Sequence, residues 1–306
     1  MTPVAVLITI ASYFLILFTI SYIAGRKADN EGFFVGNRKS AWYVVAFAMI
    51  GSSISGVTFV SVPGMVGISN FSYLQMVLGF VTGQIIIAFV LIPLFYRMNL
   101  VSIYEYLENR FGTSSYKTGA WFFFISKILG AAVRLYLVCL TLQLLVFEPF
   151  HMPFIMNVIL TVALVWLYTF RGGVKSLIWT DSLKTFCLIV SVVLCIYYIS
   201  TDLKLSFTEM FSTVSDSALS HMFFFDNVND KRYFFKQFLA GVFTMIAMTG
   251  LDQDMMQRNL SCKNFKDSQK NMITSGISQF FIILLFLMLG VLLYTFTSHQ
   301  GNTNPA

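Results

Sequence analysis

Charge is scarce in this chain. Asp, Glu, Lys and Arg make up 11% of the 306 residues, against 57% apolar residues, where a soluble globular domain carries about 25% charged residues. That shortage excludes an ordinary soluble fold and points to a chain solvated by lipid. Histidine is rarer still: His151, His221 and His299 all fall outside the apolar runs. With no HExxH and no deeply placed pair of aspartates, the equipment of an intramembrane hydrolase is missing. Of the four cysteines, Cys139, Cys187 and Cys195 lie in apolar stretches and Cys262 in a basic loop. Their spacing suits neither a disulfide framework nor a metal site. No GxxxxGK[ST] loop is present for a nucleotide phosphate, and no short repeat or low-complexity tract. The net charge of +6 does not indicate nucleic acid, because the basic residues sit in short loops and not on one face or tail.

Long apolar runs are abundant. Eight cover residues 4–24, 42–66, 73–96, 119–147, 154–170, 177–200, 237–256 and 272–297. At about 1.5 Å per residue, helices of these lengths cross a hydrocarbon core of about 30 Å, the fifth being short and the fourth long enough to tilt. Loops after odd-numbered runs hold Arg26, Lys27, Arg38, Lys39, Arg97, Arg110, Lys117, Arg171, Lys175, Arg258, Lys263, Lys266 and Lys270, whereas the others hold Lys204, Lys231, Arg232 and Lys236. The positive-inside bias makes the first set cytoplasmic and both chain ends external. The first run lacks a basic n-region and a small-residue cleavage site, so it reads as a membrane helix and not a signal peptide. Residues 201–236 read as an outer loop with a short helix of its own.

Polar groups interrupt this apolar background at a few places. Gly51 to Gly56 reads GSSISG in the middle of the second run, with Pro63-Gly64 expected to loosen the same run again. A backbone in lipid abandons helical pairing only where protein or a polar cavity takes over, and the freed carbonyls are hard oxygen ligands suited to Na⁺. Ser52, Ser53, Ser55 and Thr58 surround this break. Thr249-Gly250 interrupts the seventh run, with four runs between it and the first break, as expected if a five-helix unit is repeated. Asp181 lies about one turn inside the sixth run, and Arg134 stands in the centre of the fourth. Ionisable groups at such depth are costly and need a partner or a function. Asp181 reads as a carboxylate near a cation site or as an acid favoured by the helix N-terminus. Arg134 reads as the partner of an acid, a carbonyl or an anionic ligand. Lys127 and Lys184 are expected to snorkel or pair locally. Phe243, Met245 and Met248 read as packing or pocket wall.

These residues resemble the sodium:solute symporter family. The matching segments are EGFFVGNR (31–38), GSSISGVTFVSVPG (51–64), SIYEYLENRFG (102–112), GAAVRLYL (130–137), RGGVKSLIWTDSLKTF (171–186) and GLDQDMMQRNLSCKN (250–264), in order along the chain. The resemblance implies an all-α integral membrane protein with a LeuT-type inverted-repeat core and one extra N-terminal helix. It divides the chain into that helix (1–30), a first five-helix repeat (31–200), an extracellular loop (201–236) and two helices of a second, incomplete repeat (237–306). It implies sodium ligation by the carbonyls of Gly51 and Ile54, with Asp181 on the ion path, and substrate contacts from Ser55, Thr58, Gln75 and Arg134, with Phe243 on the pocket wall.

The implied activity is sodium-driven import of a small organic solute in the plasma membrane, with Na⁺ as coupling ion, no other cofactor and no enzymatic step. Met248 and Thr249 stand where the family's sugar carriers have Tyr and Trp. Together with Arg134, that favours a carboxylate-bearing solute such as a sialic acid over a hexose; sugar, polyol and proline carriage remain the alternatives. A sensor or structural module on the same fold is the reading from another class, and solute flux separates the two. The residues do not set the solute, the sodium stoichiometry or the oligomeric state.

Overall fold

The computed structural model describes residues 3–25, 40–100, 102–169 and 173–299. The segment EGFFVGNR, the basic residues Arg26, Lys27, Arg38, Lys39 and Arg171, and the end of the chain from Gln300 lie outside the described residues. Among the described residues the regular elements are helices. They are α1 (Pro3–Gly25), α2 (Trp42–Ser53) and α3 (Gly56–Ser69). Next come α4 (Tyr73–Arg97), α5 (Ile103–Phe111), α6 (Thr113–Phe150) and α7 (Phe154–Thr169). The remainder are α8 (Gly173–Asp202), α9 (Phe207–Ser215), α10 (Phe234–Gly250), α11 (Gln253–Asn259) and α12 (Phe265–His299).

Among the described residues the apolar runs fall on these helices, the second and seventh each divided between two. Five helices among the described residues, α1, α4, α6, α8 and α12, are long and apolar enough to cross a bilayer, and two bent pairs raise the number to seven. The apolar part of α7, Phe154–Leu167, is shorter. The bent pairs are α2 with α3, turned by 65°, and α10 with α11, turned by 73°. The second loosening expected at Pro63-Gly64 does not interrupt α3, which runs through Pro63 to Ser69. Proline withholds the bond its N–H would give the Phe59 carbonyl and crowds that carbonyl, yet the helix continues, and the Tyr294 hydroxyl donates to the neighbouring Gly64 carbonyl at 3.1 Å.

The chain forms two compact units. The first comprises residues 1–40 and 97–180, and the second comprises 41–96 and 181–306, with α8 starting in the first and continuing in the second. In the first unit α1 packs on α7, and α5 packs on α6. Ser21 and Ser176 join hydroxyls at 2.9 Å where both are buried. Near its end α6 widens into a π turn over Gln143–Phe147. Buried Asn157 of α7 donates to the Cys139 carbonyl at 2.7 Å and to Gln143 Oε1 at 3.2 Å, and Gln143 donates to Met152 O at 2.7 Å. In a medium without water these amides satisfy backbone groups beside the turn.

In the second unit α4 lies along α10. A β-carbon at Gly79 would stand 2.9 Å from Gly241 Cα, so matched small residues let the two backbones meet. Helix α12 packs on α2, α3 and α4, and Phe286 meets Phe59 edge-on with centroids 5.3 Å apart. The core of this unit, including Val45, Val66, Val77, Ile87, Met272, Phe286 and Leu287, is fully buried. Helix α9 starts with a capping box in which the Ser206 N–H donates to Glu209 at 2.8 Å. That bond holds the Glu209 carboxyl below its usual range.

Candidate functional site

The break between α2 and α3 follows from its residues. Ser52 Oγ and Ser53 Oγ lie 3.1 Å and 3.0 Å from the carbonyls of Ala48 and Met49, the local bonding with which serine loosens a helix. Ile54 and Ser55 are extended, with ψ of 125° and 171°. Thr58 Oγ1 accepts from the Ser55 N–H at 3.2 Å, and the two hydroxyls are 3.4 Å apart, so both residues cap α3. The last helical bond before the break runs from the Ile54 N–H to the Ile50 carbonyl. Among the described residues no hydrogen bond reaches the carbonyls of Gly51, Ser52, Ser53 or Ile54. These oxygens are the groups available to a hard cation at this point.

Gly51 is buried against α8. A β-carbon there would lie 2.6 Å from the Asp181 carbonyl and 3.3 Å from the Thr185 nitrogen. Thr185 Oγ1 donates to the Phe47 carbonyl at 2.8 Å and lies 2.9 Å from the Asp181 carbonyl, which ties the two helices together at this contact.

Asp181 sits at the same crossing, and its carboxylate is fully engaged. Oδ1 holds Lys184 at 3.0 Å, and Oδ2 pairs with Arg258 Nη1 and lies 3.1 Å from Ser52 Oγ. Arg258 Nη1 also donates to Ser52 Oγ at 2.9 Å, and its Nε donates to Asp254 at 3.1 Å. Two acids and two bases therefore balance, with Arg258 and Asp181 deep (side chains 9% and 12% exposed) and Lys184 and Asp254 towards the surface (45% and 41%). The sequence reading counted Arg258 as a loop charge. It is instead buried on α11, because the seventh run bends at Leu251 and Asp252 caps a further helix turning inward from there, accepting from the Met255 N–H at 3.1 Å. The available signal was Asp254 one helical turn ahead of Arg258, an i,i+4 pair.

The remaining candidates are spread out. Gln75 is fully buried and donates to the carbonyls of Arg232 (2.8 Å) and Ser72 (3.2 Å), while its Oε1 accepts from the Phe224 N–H (3.1 Å). Both ends of its amide thus hold residues 224–232 onto α4. Phe243 stands on α10 with 66% of its surface exposed. Gly51, Ile54, Ser55, Thr58, Gln75, Asp181 and Phe243 belong to the second unit and Arg134 to the first. Arg134 is exposed on α6, and among the described residues it makes no ion pair or hydrogen bond. Lys127 lies 5.4 Å from the Phe123 ring centre. Among the described residues no three His, Cys, Asp or Glu side chains converge as a metal would need. A cation would therefore be met by carbonyl, hydroxyl and single carboxylate oxygens.

Comparison with known proteins places this geometry. A solved structure of a Na⁺-coupled sialic acid symporter in its substrate-bound outward-open state superimposes with a TM-score of 0.83 at 21% identity, covering 96% of this chain and 62% of that one. That likeness shows the fold, the LeuT type. The human sodium-coupled monocarboxylate transporter 2 is 25% identical over 282 residues, 92% of this chain and 44% of the relative. The sodium/sialic acid symporter NanT of Aliivibrio fischeri is 26% identical over 298 residues, 93% of this chain and 56% of the relative. The human sodium/iodide cotransporter is 24% identical over 277 residues. The chain spans about half the length of the curated relatives it matches. These relatives are carriers and not enzymes, and the helices make this a multi-pass membrane protein. The profile of the sodium:solute symporter family matches residues 33–306, and the chain belongs to that family.

Proposed function

We propose that this chain works in a sodium-coupled symporter that imports a small carboxylate-bearing solute such as a sialic acid. The observation that carries the reading is the row of carbonyls from Gly51 to Ile54, at the bend between α2 and α3, that no hydrogen bond reaches among the described residues. In a medium without water, carbonyl oxygens that no N–H reaches gain most from a cation. Gly51 and Ile54 supply the sodium ligands in this reading, with Asp181 on the ion path. Ser55, Thr58 and Phe243 are the solute contacts in this reading, Gln75 acts through residues 224–232 that its amide holds, and Arg134 is assigned the solute's carboxylate, which its guanidinium suits with a two-pronged hydrogen bond. The named relatives carry a monocarboxylate, a sialic acid and iodide, all anions, which supports a negatively charged solute.

Each sodium ion entering down about 100 mV releases about 2.3 kcal/mol before its concentration gradient is added, enough to drive accumulation without ATP. The protein resides in the plasma membrane with its N-terminus outside, in keeping with the distribution of Lys and Arg among its loops. Residues 31–200 form the first five-helix repeat, after one extra helix, and α10 opens the second repeat as α2 opens the first.

Uptake into proteoliposomes tests the proposal. An inward Na⁺ gradient, compared with choline, should drive accumulation of labelled N-acetylneuraminate or a simple monocarboxylate, and other carboxylates should compete. Sodium-driven accumulation of glucose, a polyol or proline in their place would overturn the choice of solute. Sodium binding without flux of any solute would favour a sensor.

A further inference from the structure

The candidate cation position at Asp181 already holds a positive charge, the guanidinium of Arg258. One Arg258 nitrogen, Nη1, bonds both Asp181 Oδ2 and Ser52 Oγ, the carboxylate and hydroxyl oxygens that flank the break. A small cation bound between these two oxygens and the arginine cannot share the space, because both would need the same lone pairs at close range. The same guanidinium has a second carboxylate in reach: Nε and Nη2 lie 3.1 Å and 3.5 Å from the Oδ1 and Oδ2 of Asp254, one turn earlier on α11. Asp254 is 41% exposed, so an arginine that leaves Asp181 keeps a partner and gains water. Lys184 stays on the other oxygen of Asp181 in either arrangement.

We propose that Arg258 is a tethered cation that competes with the coupling ion for Asp181 and Ser52, so that binding there requires Arg258 to release both and keep Asp254 as its remaining partner. Arg258 thereby sets the apparent sodium affinity and locks α11 to α2 and α8 while the ion is away. The inference rests on the reading of Asp181 as a residue of the ion path. Competition of this kind raises the apparent dissociation constant by the reciprocal of the fraction of molecules whose site is free.

The test is direct binding of ²²Na⁺ to the purified protein, with thermal unfolding as the check on folding. Arg258→Gln removes the competitor and keeps a hydrogen-bonding side chain. It should tighten sodium binding by about tenfold, the factor for a site free about one-tenth of the time. Asp254→Asn removes the carboxylate that a released Arg258 would keep, at a half-exposed position, so it should hold Arg258 on Asp181 and weaken sodium binding. Should Arg258→Gln fail to fold, Asp254→Asn still decides the matter. Unchanged or weaker binding in a folded Arg258→Gln variant, or unchanged binding in Asp254→Asn, overturns the competition. If Asp181→Asn alone leaves sodium binding intact, the ion-path reading of Asp181 fails instead. The two failures are therefore distinguishable.

Discussion

Gly51 lies so close to the backbone of Asp181 that a β-carbon on it would come to 2.6 Å from the Asp181 carbonyl. The Thr185 hydroxyl, the nearest atom, could turn aside, but the Asp181 carbonyl is backbone, so substitution must push α2 away from α8. Overpacking of this kind costs about 1–3 kcal/mol. Gly51→Ala should lower thermal stability, and Gly51→Val should lower it further and raise the sodium concentration for half-maximal uptake. Gly56 is the control. Nothing lies within 4 Å of its β-position, so Gly56→Ala should leave stability unchanged or slightly raised. Equal losses at both positions would show that the break itself, and not the Asp181 contact, needs glycine.

Neutralising Asp181 should be costly in a way that a second mutation repairs. Asp181→Asn leaves buried Arg258 with Asp254 alone, and breaking a buried pair costs about 3 kcal/mol or more. The double variant Asp181→Asn/Arg258→Gln should recover most of that loss in chemical denaturation. Additive losses in the two single variants would mean that the residues do not interact energetically.

Arg134 is exposed on α6 with no protein partner among the described residues, so its test is the solute. Arg134→Lys keeps the charge and loses the fork, and should weaken carboxylate uptake; Arg134→Ala should nearly abolish it. Amide analogues should bind poorly to the unaltered protein and lose little more in Arg134→Ala. Equal losses for acid and amide would make Arg134 structural.

Asn157 offers a prediction about stability alone. Asn157→Leu keeps the volume, takes the side-chain donor from the Cys139 carbonyl and leaves Gln143 Oε1 without its Asn157 partner beside the π turn. A buried polar group left unsatisfied costs about 1–3 kcal/mol, so the variant should unfold at lower temperature. Unchanged stability would show that the turn relaxes to satisfy itself.

Cys262, between α11 and α12, is fully buried, and burial pushes its thiol up to about 12. The reactive species is the thiolate. At pH 8 the folded protein should therefore not be labelled by maleimide at Cys262, and denaturation should open it to labelling. Mass spectrometry of the labelled peptide reads the outcome.

The apolar runs and their interruptions were legible because lipid leaves a chain few options. A run of 20 or more apolar residues becomes a helix wherever no water competes for its backbone, and GSSISG at Gly51–Gly56 became a 65° bend. Pro63 misled because proline weakens a helix without obliging it to end, and α3 passes through it. Gln75 could be located on a span but not oriented. Only the folded chain shows its amide turned to the backbone of Phe224 and Arg232.

The sequence by itself determined the medium, the helices and the places where the backbone gives up helical pairing, since these depend on residues near one another along the chain. Tertiary structure alone decided which charges meet. Asp181 and Ser52 are 129 residues apart, and Arg258 lies 77 beyond Asp181. Nothing local marks them as one network. They meet because the contact of Gly51 with Asp181 brings α8 against α2, while the bend after α10 turns Arg258 of α11 inward to the same crossing.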